Sequence, residues 1–340
     1  MLKIQENIFL NKITTLRVGG RTRYFTIIKN ENDLHEALSF IKSRKLNYFI
    51  LGGGSNLLFS DGGYQGLIIK NEIKGIKFID QDNDLVRLEV GAGENLDEII
   101  NLSVIRKLFG LENLSGIPGT VGGAITQNAG AYGQEIKDHL ISVSGINAQN
   151  GKPFCFINKD CLFKYRDSLF KKNKKFIITT AGFVLSKKPI INIEYGGLKD
   201  KLNKINSQVC FSEDIRQAVL EIRNEKLPDW HKIGTAGSFF KNPILIKEKY
   251  EELKVKYPNL PGFLDDQGLV KVSLAWILDN ICGLKGYKEG KVGLYEKQPL
   301  ILVCEKGATE KEIKSFSEKI KKIVKEKTEI EIEEEVELIK

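Results

Sequence analysis

A chain of 340 residues, 41% hydrophobic and 28% charged, has the composition of a globular protein with room for two or three domains. No apolar run approaches the roughly 20 residues needed to cross a bilayer, so no membrane insertion is expected. The net charge of +8 permits an anionic ligand, but the lysines are spread along the chain with no basic block among aromatics, which argues against a nucleic-acid partner.

Taken in order, Gly19-Gly20 marks a turn, and the alternation of Tyr24, Thr26 and Ile28 with Phe25 and Ile27 predicts a strand. Asn32 or Asp33 is expected to cap a helix with the apolar stripe Leu34, Ala37, Leu38 and Ile41. The run Tyr48–Leu51 reads as a buried strand leading into Gly52, Gly53, Gly54, Ser55 and Asn56. Strand, glycine cluster and polar pair form an anion-binding arrangement. They match neither GxGxxG nor GxxxxGK[ST], so neither a Rossmann nor a P-loop site is predicted. Leu85–Val90 reads as a strand, Gly91–Gly93 as a turn, and Asn95 as the start of a helix presenting Leu96, Ile99, Ile100 and Val104.

The stretch Gly116 to Gly133, GIPGTVGGAITQNAGAYG, contains six glycines. Two readings stand: a loop packed tightly against neighbouring backbone, or a loop whose amide N–H groups face the phosphates of a large cofactor. Two glycine-rich segments about 60 residues apart can wrap a long ligand from two sides.

Ile141–Ala148 and Lys175–Leu185 are predicted strands, the second rich in β-branched residues. Between them Arg166 reads as a charge at a turn, and beyond them Tyr195 as a mobile aromatic. Ser212 is expected to cap a helix carrying Ile215, Ala218, Val219 and Ile222 and ending at Leu227-Pro228. Arg223 and Lys226 near its end read as solvated charges. Ser238 lies in GTAGSFFKNP without GxSxG and without a paired histidine, which argues against a hydrolase nucleophile. Helices are expected around Tyr250–Tyr257 and Leu274–Ile281, with Gly293-Leu294-Tyr295 as a loop entering a strand. Thr309 and Glu312 make a capping box for a helix with Ile313, Phe316, Ile320 and Ile323. Glu329–Ile339 is expected as a last strand, alternating Ile330, Ile332, Val336 and Leu338 with glutamates; by pattern alone these are a solvated acidic face.

Five cysteines (Cys155, Cys161, Cys210, Cys282 and Cys304) stand apart without a CxxC pair, and the histidines are His35, His139 and His231. That predicts free thiols in a reducing cytoplasm and no metal site. The N-terminus, MLKIQENIFLNK, lacks the blocks of a secretion signal.

LGGGSNLLF (51–59), GLENLSGIPGTVGGAITQNAGAYG (110–133), YRDSLFK (165–171) and GTAGSFFKNP (234–243) together resemble the UDP-N-acetylenolpyruvoylglucosamine reductases, the MurB flavoproteins of bacterial cell-wall synthesis. The likeness runs from about Leu16 to Ile339, in the family's order. It implies an α+β fold with an FAD-binding module of the vanillyl-alcohol-oxidase (PCMH) type in two subdomains. These would be residues 1–71, completed by strand 329–340, and residues 72–210, followed by an α+β substrate-binding domain over 211–328. Residues 189–200 resemble the subtype with a tyrosine loop.

The resemblance further implies NADPH-dependent reduction of UDP-N-acetylglucosamine enolpyruvate to UDP-N-acetylmuramate; a cytoplasmic monomer is expected. Neither glycine segment contains His or Cys, so the FAD is expected to be non-covalent, with NADPH as co-substrate. By resemblance, FAD is held by Gly52, Gly53, Gly54, Ser55, Asn56, Gly116, Ile117, Pro118, Gly119, Gly122, Gly123, Ala124, Asn128, Gly130, Ala131, Tyr132, Gly133, Arg166 and Arg223. Tyr195, Lys226, Asn242 and Gln298 contact the substrate. Hydride passes from NADPH through FAD to C3 of the enolpyruvyl group, Arg166 and Glu335 stabilise the developing charge, and Ser238 protonates C2. Many relatives carry a basic residue where Glu337 stands. The alternatives are another FAD-dependent oxidoreductase on the same fold, such as a sugar-lactone or alcohol oxidase, and a basic binding module.

Overall fold

The computed structural model describes residues 2–190, 192–193, 196–205, 211–265 and 267–340. The chain forms two compact units, one from Met1–Ile8, Thr22–Gly54 and Gln65–Asn224, the other from Phe9–Arg21, Ser55–Tyr64 and Glu225–Lys340. Among the described residues no helix is long and apolar enough to cross a membrane.

The first unit holds two sheets. One orders the strands Gln5–Phe9, Arg21–Ile28, Tyr64–Asn71 and Tyr48–Leu51, the last two parallel. The other is antiparallel, in the order Pro153–Ile157, Leu140–Asn147, Phe176–Ser186, Leu85–Gly91 and Ile76–Asp80. Helix α1, Glu31–Arg44, is capped by Asn30, whose side chain accepts the Asp33 N–H. The cap therefore lies earlier than Asn32 or Asp33, because the Asp33 carboxylate turns back to accept the Lys29 N–H. Leu34, Ala37 and Ile41 join Tyr24, Ile28, Leu67 and Ile69 in one core. Asn95 caps α2, Leu96–Ile105, in the expected place. The predicted face of that helix enters a second core with Val86, Leu88 and Val90.

The glycine-rich stretch is not a loop throughout. Thr120 caps a short helix, α3, over Val121–Gln127. Gly130–Ala131 and Gln134–Glu135 then form a hairpin. Its turn residues Tyr132 and Gly133 both have positive φ, 48° and 81°, the geometry that matches the twist of paired strands. Helices α4 (Leu169–Lys172), α5 (Gly196–Ile205) and α6 (Ser212–Lys226) follow. Leu198 of α5 packs with Ile215, Ala218, Val219 and Ile222 of α6. Ser212 is the first helical residue and not the cap; the Asp214 carboxylate instead accepts the Phe211 N–H.

The second unit contains an antiparallel sheet in the order Gly234–Ser238, Gln298–Cys304, Val292–Tyr295 and Lys288–Glu289. A second sheet orders Ile244–Ile246, Leu269–Val272 and Gly262–Leu264. Gly293-Leu294-Tyr295 is thus strand, with Gly293 opposite Val303, and the expected loop is corrected. Helix α7 spans Lys247–Lys256, and α8, Leu274–Trp276, continues as a π turn over Ile277–Ile281. Helix α9, Glu310–Thr328, has the predicted capping box. Its Ile313, Phe316 and Ile320 share a core with Phe239, Phe240, Ile330 and Ile332.

The C-terminal segment is a strand only over Glu337–Ile339, parallel to Leu57–Phe59. Upstream, Ile330 and Ile332 are buried and Glu329, Glu331 and Glu333 exposed, so the alternation records packing. There the backbone meets its neighbour through the Phe240–Glu334 bridge and the Lys241–Glu333 bond, which is too little for a continuous ladder. Phe240 is 0% exposed. Phe240→Ala is expected to cost about 3–5 kcal/mol, read as a lower urea midpoint at unchanged m-value.

Candidate active site

In the first unit the strand Tyr48–Leu51 delivers Gly52–Gly54 against the approach to α3. A Cβ on Gly53 would lie 2.6 Å from Gly119 Cα, and one on Gly52 would lie 2.5 Å from Thr120 Oγ1. The two glycine segments therefore touch, and packing alone excludes larger residues at Gly52 and Gly53. Several amides of the stretch are engaged inside the chain: Gly116 N–H donates to Asp97 Oδ1 at 2.6 Å, and Gly122 N–H to Ala92 O at 2.8 Å. At these two positions the stretch is the tightly packed segment of the first reading. A Cβ at Gly122 would also meet Ala92 Cβ at 3.0 Å, whereas at Gly123 the nearest atom is Thr120 Oγ1 at 3.5 Å. Gly53 and Gly123 are exposed and Ile117, Pro118 and Gly119 half-buried. These positions leave main chain open, and they fit FAD, whose ring and pyrophosphate require close approach to main chain.

Arg166 lies in a tight turn in which Lys164 and Asp167 exchange both main-chain hydrogen bonds, at 3.0 and 3.1 Å. Its φ of 55° is left-handed, a conformation that costs an ordinary residue about 1–2 kcal/mol. The half-buried guanidinium donates to Gly130 O at 2.7 Å, so the YRDS motif and the hairpin of the glycine stretch meet. Asn128, 0% exposed, ends α3 with φ 45° and donates to Glu135 Oε2 and Lys164 O.

Asp97, which reads in the sequence only as an acid in a first helical turn, organises the other side of the stretch. Its two oxygens accept Arg216 Nη1 and Nη2 at 2.6 and 2.9 Å, and Oδ1 also accepts the Gly116 N–H. Burial alone would raise the carboxyl, but the Arg216 and Gly116 hydrogen bonds prevail and hold it below the usual carboxylate range. Arg223 passes over Gly116, its Nε 2.9 Å from where a Cβ would stand. Burial pushes its guanidinium down, against the opposing pull of Tyr132 and Asp97. It remains a cation at neutral pH. Tyr195 lies outside the described residues.

In the second unit Ser238 ends a bulged strand. Thr235 pairs with Val303 and Ser238 with Ile301, so one extra residue is accommodated between them. Gly237, with φ 73°, takes up the bend. The Thr235 hydroxyl stitches it, donating to Leu302 O at 3.0 Å and accepting the Gly237 N–H at 3.2 Å. Bulges of this kind re-aim a side chain out of the sheet alternation. Immediately beyond, Glu335 N–H donates to Phe239 O at 2.8 Å, which seats the Glu335 backbone beside Ser238. Asn56 brackets the same segment: its Nδ2 donates to Glu335 O at 3.2 Å, and its carbonyl accepts the Glu337 N–H at 3.1 Å. Asn242 Oδ1 accepts the Leu274 N–H at 3.0 Å, and Gln298 opens its strand opposite Tyr295. Lys226 is exposed at the end of α6, and Ser55 is half-buried.

The depressed Asp97 carboxyl contributes stability that is present above its ordinary value of 3.8 and is lost as pH falls through the lower folded value. Asp97→Asn is therefore expected to be less stable than the parent at neutral pH, by about 1–2 kcal/mol. The gap closes as pH falls below 3.8 and through the lower folded value. Urea unfolding of both proteins at neutral pH and below that value measures it, and an equal gap at both would exclude the charged pairing as its source.

Residues 22–154 match the family model described as FAD binding domain, and residues 228–339 match UDP-N-acetylenolpyruvoylglucosamine reductase, C-terminal domain. The UDP-N-acetylenolpyruvoylglucosamine reductase of Amoebophilus asiaticus is 36% identical over 340 residues, covering 99% of this chain and 100% of that protein. The enzyme so named from Flavobacterium johnsoniae is 37% identical, with 99% and 100% covered. That from Pseudomonas aeruginosa is 35% identical, with 98% of each covered. The crystal structure of UDP-N-acetylenolpyruvylglucosamine reductase (MurB) from Thermus caldophilus superposes with a TM-score of 0.71 at 23% identity, covering 100% of both chains, and shows the same fold. The chain belongs to the UDP-N-acetylenolpyruvoylglucosamine reductase (MurB) family.

Proposed function

We infer that this chain reduces UDP-N-acetylglucosamine enolpyruvate to UDP-N-acetylmuramate with NADPH and non-covalently bound FAD, a step in making peptidoglycan precursors. One observation carries the chemistry: the Glu335–Phe239 main-chain bond seats a carboxylate segment beside a serine on a bulged strand. Bound against these segments, FAD would supply hydride chemistry, relaying the hydride of NADPH to C3 of the enolpyruvyl double bond.

The chain's own residues do the rest. Gly52–Asn56, Gly116–Gly119, Gly122–Ala124, Asn128 and Gly130–Gly133 hold the cofactor, largely through close backbone. Arg166 clamps the substrate carboxylate with parallel hydrogen bonds and offsets the charge that develops beside it. Ser238 Oγ delivers its proton to C2; a hydroxyl is a weak acid, but it suffices when the acceptor is a strongly basic carbanion or enolate. Glu335 assists at the same carbon, and Thr235 holds the bulge that aims Ser238. Arg223 and Lys226 offer positive charge to FAD and to the phosphates of NADPH and substrate, with Tyr195, Asn242 and Gln298 on the substrate. Burial pushes the Cys161 and Cys304 thiols up to about 12, so both are protonated at neutral pH. Free cysteines suit a reducing cytoplasm, where the chain acts as a monomer without nucleic acid. Residues 1–71 with 329–340, and 72–210, serve as the two FAD-binding subdomains, and 211–328 as the substrate domain.

NADPH oxidation with and without the enolpyruvyl sugar nucleotide tests the reading; turnover supported instead by an alcohol or lactone and oxygen would favour an oxidase. Gly123→Val is expected to keep the parent's melting temperature and purify without yellow colour, since a side chain there meets open surface. Gly122→Val, whose Cβ meets Ala92, loses fold stability as well. Ser238→Ala is expected to bleach with NADPH at the parent rate, while reoxidation by the sugar nucleotide slows about 10²- to 10⁴-fold. Equal slowing of both halves in stopped-flow absorbance would remove Ser238 as the proton donor.

A further inference from the structure

We propose that Lys171 is a positioning residue for Arg166 and ties the arginine turn to the end of α3. The proposal rests on the reading of Arg166 given above. Lys171 Nζ donates to Arg166 O at 3.0 Å and to Gln127 Oε1 at 2.7 Å. Gln127 is the last residue of α3, the helix inside the glycine stretch. One ammonium thus joins the main chain of the arginine to the segment that faces the cofactor.

A second tie runs in parallel. Ser168, 1% exposed, donates from Oγ to Thr126 O at 2.7 Å and accepts the Lys171 N–H at 3.2 Å, which caps α4. Residues 166–171 therefore grip the last turn of α3 at two consecutive positions, Thr126 and Gln127. A half-buried lysine is costly unless its hydrogens are satisfied. Here they are directed at a strained peptide and at the carbonyl-rich end of a helix, where positive charge is favoured.

The strained peptide is the reason for the assignment. Arg166 holds a left-handed φ of 55°, and such conformations persist only where the surroundings hold them. The Lys164–Asp167 pair closes the turn, and the Lys171 bond fixes the orientation of the Arg166 carbonyl and hence the start of its side chain. On the far side the guanidinium rests on Gly130 O. Release of the ammonium lets the turn relax and the guanidinium drift from the position in which it meets the substrate.

The test is stopped-flow absorbance of the two half-reactions in FAD-loaded Lys171→Met, Lys171→Arg, Gln127→Leu and Arg166→Met. Lys171→Met is expected to keep its FAD and to bleach with NADPH within about twofold of the parent, while reoxidation by the sugar nucleotide slows on the order of 10²-fold. Lys171→Arg, which can still donate to both oxygens, recovers most of that loss. Gln127→Leu removes the other anchor and slows the same half-reaction by about tenfold; it decides the matter if Lys171→Met does not fold. Ile100→Val, a core change that lowers melting temperature, serves as the destabilised control with both rates retained. Parent-like reoxidation in Lys171→Met or Gln127→Leu, or slowing shared equally by both halves, overturns the proposal. Parent-like reoxidation in Arg166→Met overturns the reading of Arg166 itself.

Discussion

Backbone meeting backbone is the constraint on which the first unit depends. Where Gly53 passes Gly119, one added carbon would sit 2.6 Å from main chain, so only glycine lets the end of the strand Tyr48–Leu51 close on the approach to α3. The glycines that permit this closure also leave main chain open at Gly53 and Gly123, which is what a cofactor pressed against main chain needs. Packing and function are therefore not rival explanations of the glycines. Gly52, Gly53 and Gly122 are accounted for by contacts inside the protein, and Gly123 by the room beside it.

Around this contact, hydrogen-bonded joints set the directions of the groups proposed to meet a reactant. Asp97 binds Gly116 and Arg216 together in the first unit. A carboxylate with two guanidinium bonds is a joint that defines angle as well as distance. In the second unit the comparable joint is Thr235, whose hydroxyl spans the bulge before Ser238. Asn56 does the same for Glu335, through its amide and its carbonyl. Supporting shells of this kind determine whether a site is held to a fraction of an ångström.

Elements with a strong local signal were legible in the chain. The helix stripes of α1, α2 and α9, the Asn95 cap and the Thr309–Glu312 box are local in cause, needing only residues within a turn of one another. Failures came where a distant or competing partner decided. Gly293-Leu294-Tyr295 looks like loop entering a strand, yet its ladder with Gln298–Cys304 makes it strand. The alternating C-terminal segment looks like a full strand, but its period reflects burial, and only Glu337–Ile339 finds a long enough neighbour. The starts of α1 and α6 are not legible to the residue, because several polar side chains compete for the same few N–H groups.

By itself the sequence determined the family, the two glycine segments, and which arginine, serine and glutamate match the family's motifs, since those rest on residue identity and order. Only the tertiary structure decided what each of them rests on. Whether a glycine is required by a neighbour's backbone or leaves open surface, and whether Asp97 or Lys171 is a solvated charge or a joint, depends on atoms more than a helical turn away in the chain. Residue spacing carries no record of such contacts. Hydrogen bonds of about 2.6 to 3.0 Å, made by folding, do.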